Sequence, residues 1–187
     1  VPLGHDPLPV SDQDRAAVRE QFDLAGRFIL ATGTVEPRKN LPILIEAFER
    51  LDPSHDVQLV LAGPAGWGDT PEQLLAPLSP GRREMVVVTG HVPTAALAAL
   101  YSEASVFCYP SLLEGFGLPV LEAMSYGAPV VTSRGTATEE VAGDAAVMID
   151  PTSADDVARG LDRVLADTDF AAELIAKGLT RSSSYTW

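Results

Sequence analysis

What this chain lacks narrows its chemistry first. It has one cysteine, Cys108, so no internal disulfide can form. That thiol sits in the apolar run Ser-Val-Phe-Cys-Tyr, where a buried structural side chain is expected rather than a nucleophile. Three scattered histidines and that cysteine offer no zinc constellation. No apolar run is long enough to span a bilayer and no signal peptide opens the chain, so a reduced, cytoplasmic protein is expected. Cations are scarce: 13 Lys and Arg stand against 26 Asp and Glu, a net charge of −13. That balance argues against nucleic acid or an acidic membrane surface as the main partner. Any phosphate site must then be a local pocket of N–H groups or cations inside a repelling field. The G-x-x-x-x-G-K-[ST] loop is missing, as is a G-x-G-x-x-G after the first apolar run, which disfavours P-loop and dinucleotide enzymes. The triplets Asp12-Gln-Asp14 and Asp167-Thr-Asp169 follow no core strand and read as helix caps, not metal ligands.

What is present is a regular alternation. Short apolar runs bounded by Gly or Pro predict strands at 28–33, 57–63, 85–89, 105–109, 129–132 and 146–149. Helical patterns fall between and after them, at 40–51, 71–78, 94–102, 117–127, 137–142, 154–166 and 169–180. Such alternation means an α/β fold: a Rossmann-like, doubly wound parallel sheet of about six strands with helices on both faces. Ser153-Ala-Asp-Asp156 supplies a cap for one helix. Residues 1–14, with three prolines, read as a hinge or linker, and 15–187 as one domain. A terminal Trp187 left uncovered suggests a piece of something larger.

In doubly wound sheets ligands sit beyond the carboxyl ends of the strands, so the loops there hold the candidate residues. The first is Gly33-Thr34-Val-Glu-Pro-Arg38-Lys39-Asn, where an arginine fork and a lysine point charge suit a diphosphate. Spacing alone equally allows solvated loop charges. Gly63-Pro-Ala-Gly-Trp-Gly68 is a ligand contact or only a turn. His91, followed by Val92, offers an imidazole that can stack on a base, although a lone histidine is more often surface or core. Most informative is Glu114-Gly115-Phe116-Gly117-Leu118-Pro119-Val-Leu-Glu122. Gly115 and Gly117 permit positive φ and close backbone approach. Pro119 suits a first helical turn, and the helix amino terminus favours anions. Two carboxylates around an anion-binding turn suggest a ligand with phosphates in the middle and hydroxyl-rich groups at both ends.

These segments resemble the retaining nucleotide-sugar glycosyltransferases of glycosyltransferase family 4, in their carboxy-terminal, donor-binding half. The resemblance rests on Gly-Thr-Val-Glu-Pro-Arg-Lys-Asn-Leu (33–41), Leu-Val-Leu-Ala-Gly (59–63), residues 109–124, Tyr-Gly-Ala-Pro-Val-Val (126–131) and Gly-Asp-Ala-Ala (143–146). It implies one half of a GT-B fold and transfer of a sugar from a nucleoside diphosphate to an acceptor hydroxyl with retention. It also implies that Glu114 contacts the donor sugar, that Glu122 holds the ribose and that Lys39 holds the diphosphate. The amides of Phe116, Gly117 and Leu118 would face sugar and diphosphate, and His91 and Val92 would border the base. The family's companion arginine falls where this chain has Thr34, with Arg38 as its substitute, and Glu140 matches a later family acid. No metal or other cofactor is expected. The Glu-Pro-Arg-Lys-Asn variant resembles mannosyltransferases, which leans toward GDP-mannose. An acceptor glycan or lipid-linked sugar, and any contact with the inner membrane face, would belong to a missing amino-terminal domain, so the fragment alone is expected to be inactive. A non-catalytic nucleotide-sugar-binding module and a nucleotide-sugar 2-epimerase stay open as alternatives. A phosphorylase would need a pyridoxal lysine, for which Lys177 is a poor candidate.

Overall fold

The computed structural model describes residues 6–185. The first part of the hinge reading (1–5) and the terminal Trp187 lie outside that range. Six strands form one all-parallel sheet: β1 (Arg27–Thr32), β2 (Val57–Ala62), β3 (Val86–Gly90), β4 (Val106–Tyr109), β5 (Val130–Ser133) and β6 (Ala146–Ile149). Their spatial order is β3-β2-β1-β4-β5-β6. The chain steps outward from β1 to β3, then returns to place β4 on the other side of β1. That reversal is the topological switch point, where a crevice opens beyond the strand ends.

The apolar runs follow from this layering, because a parallel sheet is covered on both faces. In β1, alternate residues serve opposite cores. Ile29 faces α2 (Leu41–Arg50) and α8 (Ala154–Ala166), among Leu44, Phe48, Val157 and Leu161. Phe28 and Leu30 face α5 (Thr94–Glu103) and α6 (Leu118–Ser125), among Leu100, Tyr101, Val120 and Leu121. α1 (Asp12–Gln21) packs on α5, and α7 (Ala137–Ala142) on α6 and β5. The last helix, α9 (Thr168–Ser182), packs on both α6 and α8. Cys108 is fully buried in β4, and burial pushes its thiol pKa up, as a structural cysteine requires. Among the described residues, no helix is long and apolar enough to cross a membrane.

Two segments differ from the sequence reading. The segment expected as one helix over 71–78 is α3 (Pro71–Leu75), followed by a separate α4 (Pro80–Glu84). Ser79-Pro80 explains the break, since proline opens a new first turn and bars the preceding residue from helix. In the segment read as a linker, the last three residues, 12–14, are helical, because α1 starts at Asp12 behind a Ser11–Asp14 capping box. Asp14 therefore acts as the cap the triplet suggested, and Asp167 likewise accepts from the Phe170 amide at the head of α9.

Close backbone contact sets the floor of the crevice. β1 and β2 end level, Thr32 opposite Ala62. The Gly33 amide then donates to Ala62 O at 2.9 Å and the Gly63 amide to Gly90 O at 2.9 Å. A Cβ on Gly63 would lie 2.0 Å from the Gly33 carbonyl oxygen, so backbone, not a flexible side chain, would have to move. Gly63→Ala is expected to cost ~3 kcal/mol or more and to lower Tm by roughly 6–12 °C in a domain of this size. Thermal unfolding followed by circular dichroism checks this, and an unchanged Tm would show that the floor can open.

Candidate functional site

The crevice at the switch point is a cleft of 320 Å³. Its walls include Gly33 and Thr34 after β1, Gly63 after β2, His91 and Val92 after β3, and Glu122 on α6. The structure thus brings together these six residues, all singled out above, from segments up to 89 residues apart in sequence (33 to 122). His91 is exposed at the rim while Val92 is buried beneath it. Glu122 is half-buried, and its Oε2 accepts from the Tyr101 hydroxyl at 3.1 Å.

A second cluster adjoins this cleft across Gly33. The Lys39 side chain lies over that glycine, where an added Cβ would sit 3.2 Å from Lys39 Cε. Arg38 and Lys39 belong to a tight 3-10 turn, Pro37–Lys39, that delivers both cations to the strand end. Lys39 is not a solvated loop charge, whereas Arg38 is exposed but ion-paired. Lys39 is 8% exposed and its Nζ meets Glu114 Oε1 at 2.8 Å. It also donates to the Tyr109 hydroxyl and lies 4.7 Å from the centre of that ring. Arg38 donates to both Glu114 oxygens at 3.1 Å and pairs with Glu36 at 2.6 Å. Glu114 Oε1 further accepts from Ser111 Oγ at 2.7 Å and from the Tyr109 hydroxyl at 2.8 Å. Burial raises the Glu114 pKa, but hydrogen bonds from Lys39, Ser111 and Tyr109 outweigh it and hold the carboxyl below the usual range. Burial, reinforced by the Glu114 charge, pushes the Tyr109 phenol up, so it stays a donor.

Between the clusters lies the amino terminus of α6. Gly117 has φ 101°, and a Cβ there would lie 2.9 Å from Thr138 Cγ2, so the turn closes only with glycine. Pro119 occupies the first turn of α6 as expected. Within that turn Pro119 has no N–H and the Val120 amide donates to Gly117 O at 3.0 Å, so the Leu118 amide and the helix dipole are what α6 itself can direct at an anion. Gly115 corrects the sequence reading: it is exposed, meets nothing within 4 Å at a Cβ position, and is absent from the positive-φ residues. Phe116 does more than offer an amide, since its ring packs edge-on against Tyr185 at 6.0 Å. Glu140 is exposed, and it is Glu139 that accepts a backbone amide, from Gly135 at 2.6 Å. The Gly63–Gly68 turn is pinned by the Gly68 amide on Val35 O, leaving Trp67 74% exposed. Lys177 is paired with Glu173 and Asp144 outside the cleft, which removes it as a pyridoxal lysine.

The family model for "Glycosyl transferases group 1" matches residues 12–181. The chain belongs to this family. O-antigen chain mannosyltransferase B of Escherichia coli is 37% identical over 186 residues, a match covering 97% of this chain and 48% of that protein. The MMP alpha-(1->4)-mannosyltransferase of Mycolicibacterium hassiacum is 36% identical over 142 residues, covering 74% of this chain and 34% of that one. The chain thus spans about half or less of the length of these relatives, as their carboxy-terminal part. The solved sucrose-phosphate synthase of Thermosynechococcus elongatus superposes with a TM-score of 0.84 at 27% identity, covering all of this chain and 48% of that one. The fold is accordingly one half of a GT-B glycosyltransferase.

Several residues of these clusters escaped the sequence reading. Tyr109 and Ser111 complete the shell around Glu114, Glu36 pairs with Arg38, and Tyr101 touches Glu122. Asn40 donates to Pro110 O at 3.1 Å and to Pro151 O at 2.7 Å, tying three strand-end loops together. The available signal was position: Thr32, Tyr109 and Ser111 put hydroxyls at or just beyond strand ends, where an apolar run should have stopped.

Proposed function

We propose that this chain holds the donor in a sugar transfer, a nucleoside-diphosphate sugar with GDP-mannose foremost, from which the sugar passes to an acceptor hydroxyl with retention. The supporting observation is the pair of acidic stations either side of an anion-binding helix terminus. Glu122 lies in the cleft below His91, and Glu114 with Lys39 and Arg38 lies beyond Gly33. A base under His91 and Val92 puts ribose at Glu122, diphosphate at Gly33 and the head of α6, and the sugar at Glu114. The mannosyltransferase relatives support the choice of sugar.

Leaving-group departure builds negative charge on the β-phosphate. In this reading Lys39 and Arg38, already gathered on Glu114, meet that charge, and a well-placed donor contributes about 3–4 kcal/mol to such a step. Glu114 is a poor nucleophile, because its Oε1 accepts from Lys39, Arg38, Tyr109 and Ser111. It suits a different task, accepting from a sugar hydroxyl while holding the cations in place. Attack by the acceptor on the face the diphosphate leaves then gives retention with no enzyme-bound sugar. The acceptor site and water exclusion fall to the part of the relatives this chain does not span. The charge is met by side chains and amides, and no metal is called on.

Calorimetric titration with GDP, UDP and ADP tests this reading. GDP should bind most tightly of the three, and failure of all three to bind removes it. Glu122→Ala should lower affinity for GDP about 10–100-fold while leaving that for 2′,3′-dideoxy-GDP nearly unchanged, since only charge-assisted hydrogen bonds to the ribose are lost. Equal losses for both nucleotides would place Glu122 away from the ribose.

A further inference from the structure

Glu122 is a long side chain near the start of a short helix, and a ribose-holding carboxylate has to be aimed. The group that touches it comes from a different helix. Tyr101, in α5, is 2% exposed, with its hydroxyl 3.1 Å from Glu122 Oε2 and 3.0 Å from Thr32 Oγ1 at the end of β1. Hydrogen-bond chemistry fixes the direction of this array. An ionised carboxylate only accepts, so the single Tyr101 proton goes to Glu122, and the Thr32 hydroxyl must donate to Tyr101. The phenol keeps that proton, because burial and then the Glu122 charge push its pKa well up. Its ring cannot drift: it stacks on Tyr126 with centroids 5.9 Å apart and meets Phe107 edge-on at 5.3 Å. Thr32 directly precedes Gly33, so the array runs from the floor of the cleft to the carboxylate in its wall.

We propose that Tyr101 is a positioning residue for Glu122, its hydroxyl holding Oε2 so that the carboxylate meets the ribose hydroxyls already oriented. The inference rests on the reading of Glu122 as the ribose-holding carboxylate. A carboxylate free to rotate would bind the same hydroxyls at the cost of ordering its side chain on each encounter.

The test is calorimetric titration of the chain with GDP and with 2′,3′-dideoxy-GDP, for the parent, Tyr101→Phe and Glu122→Ala. Tyr101→Phe should reduce the preference for GDP about 5–10-fold, with affinity for the dideoxy nucleotide unchanged. A role in packing alone would lower Tm, or weaken both nucleotides alike, and would leave the preference intact; that result overturns the proposal. Glu122→Ala separates the two layers. If it removes the preference while Tyr101→Phe keeps it, the ribose reading stands and the Tyr101 proposal falls. If Glu122→Ala itself keeps the preference, both fall. Should Tyr101→Phe fail to fold, the double variant Thr32→Val with Tyr101→Phe leaves no buried hydroxyl orphaned, and its preference is read in the same way.

Discussion

Glu114→Ala unfolds far below the parent chain. The substitution removes the one carboxylate that Lys39, Arg38, Ser111 and Tyr109 share, and leaves Lys39 as a buried cation with no carboxylate. Breaking a buried pair from one side costs about 3–5 kcal/mol, because the remaining charge keeps its desolvation penalty. For a domain of this size that is a Tm lower by roughly 6–20 °C. The sign of the effect is testable within the same cluster. Adding Lys39→Ala to Glu114→Ala should restore part of the lost stability, since it removes the stranded cation; additive losses would mean that the two residues do not interact. A pH dependence accompanies it. The folded-state pKa of Glu114 is depressed, so its contribution is complete above the ordinary glutamate value of 4.5 and is lost as pH falls through the lower folded value. Acid unfolding of the parent should therefore include a component below pH 4.5 that Glu114→Gln lacks.

Lys39→Ala has the largest expected effect on ligand binding. The lysine is the cation nearest Gly33, which joins the cleft to the second cluster, and its stem lies against that glycine. Against a diphosphate, its loss removes a charge-assisted contact in a partly desolvated site, for about 10–100-fold in affinity for GDP. GMP, which has no β-phosphate, should lose much less. Stability should move little in comparison with Glu114→Ala, because Glu114 keeps Arg38, Ser111 and Tyr109 as donors. Arg38→Ala should follow the same pattern more weakly, being 43% exposed at its side chain and shared with Glu36. Calorimetry with GDP and GMP reads both; a Lys39→Ala chain that binds GDP as the parent does would place the diphosphate elsewhere.

The two kinds of residue in this site differed in how legible they were. The sheet was legible because buried parallel strands leave unbroken apolar runs, and all six strands fall where Phe28, Val57, Val86, Val106, Val130 and Ala146 begin or lie within them. Glu114, Gly117 and Glu122 were legible because a glycine turn opening a helix has few uses. The pairing of Lys39 with Glu114 was not, since 75 residues separate them and only the sheet order, with β1 beside β4, brings their loops together. Tyr101 read as one more core aromatic, which its ring is; only its hydroxyl belongs to the site. Gly115 and Gly117 look alike in sequence, yet only the second is held against Thr138 and forced to positive φ.

The central claim is that a nucleoside-diphosphate sugar lies across the two acidic stations, ribose at Glu122 and sugar at Glu114. A crystal structure of the chain with GDP-mannose tests it most directly. The account predicts ribose hydroxyls within hydrogen-bond distance of Glu122, phosphate oxygens facing Lys39 and the amino terminus of α6, and the mannose against Glu114. A nucleotide bound outside the cleft, or lying in it with the sugar at Glu122, would contradict it.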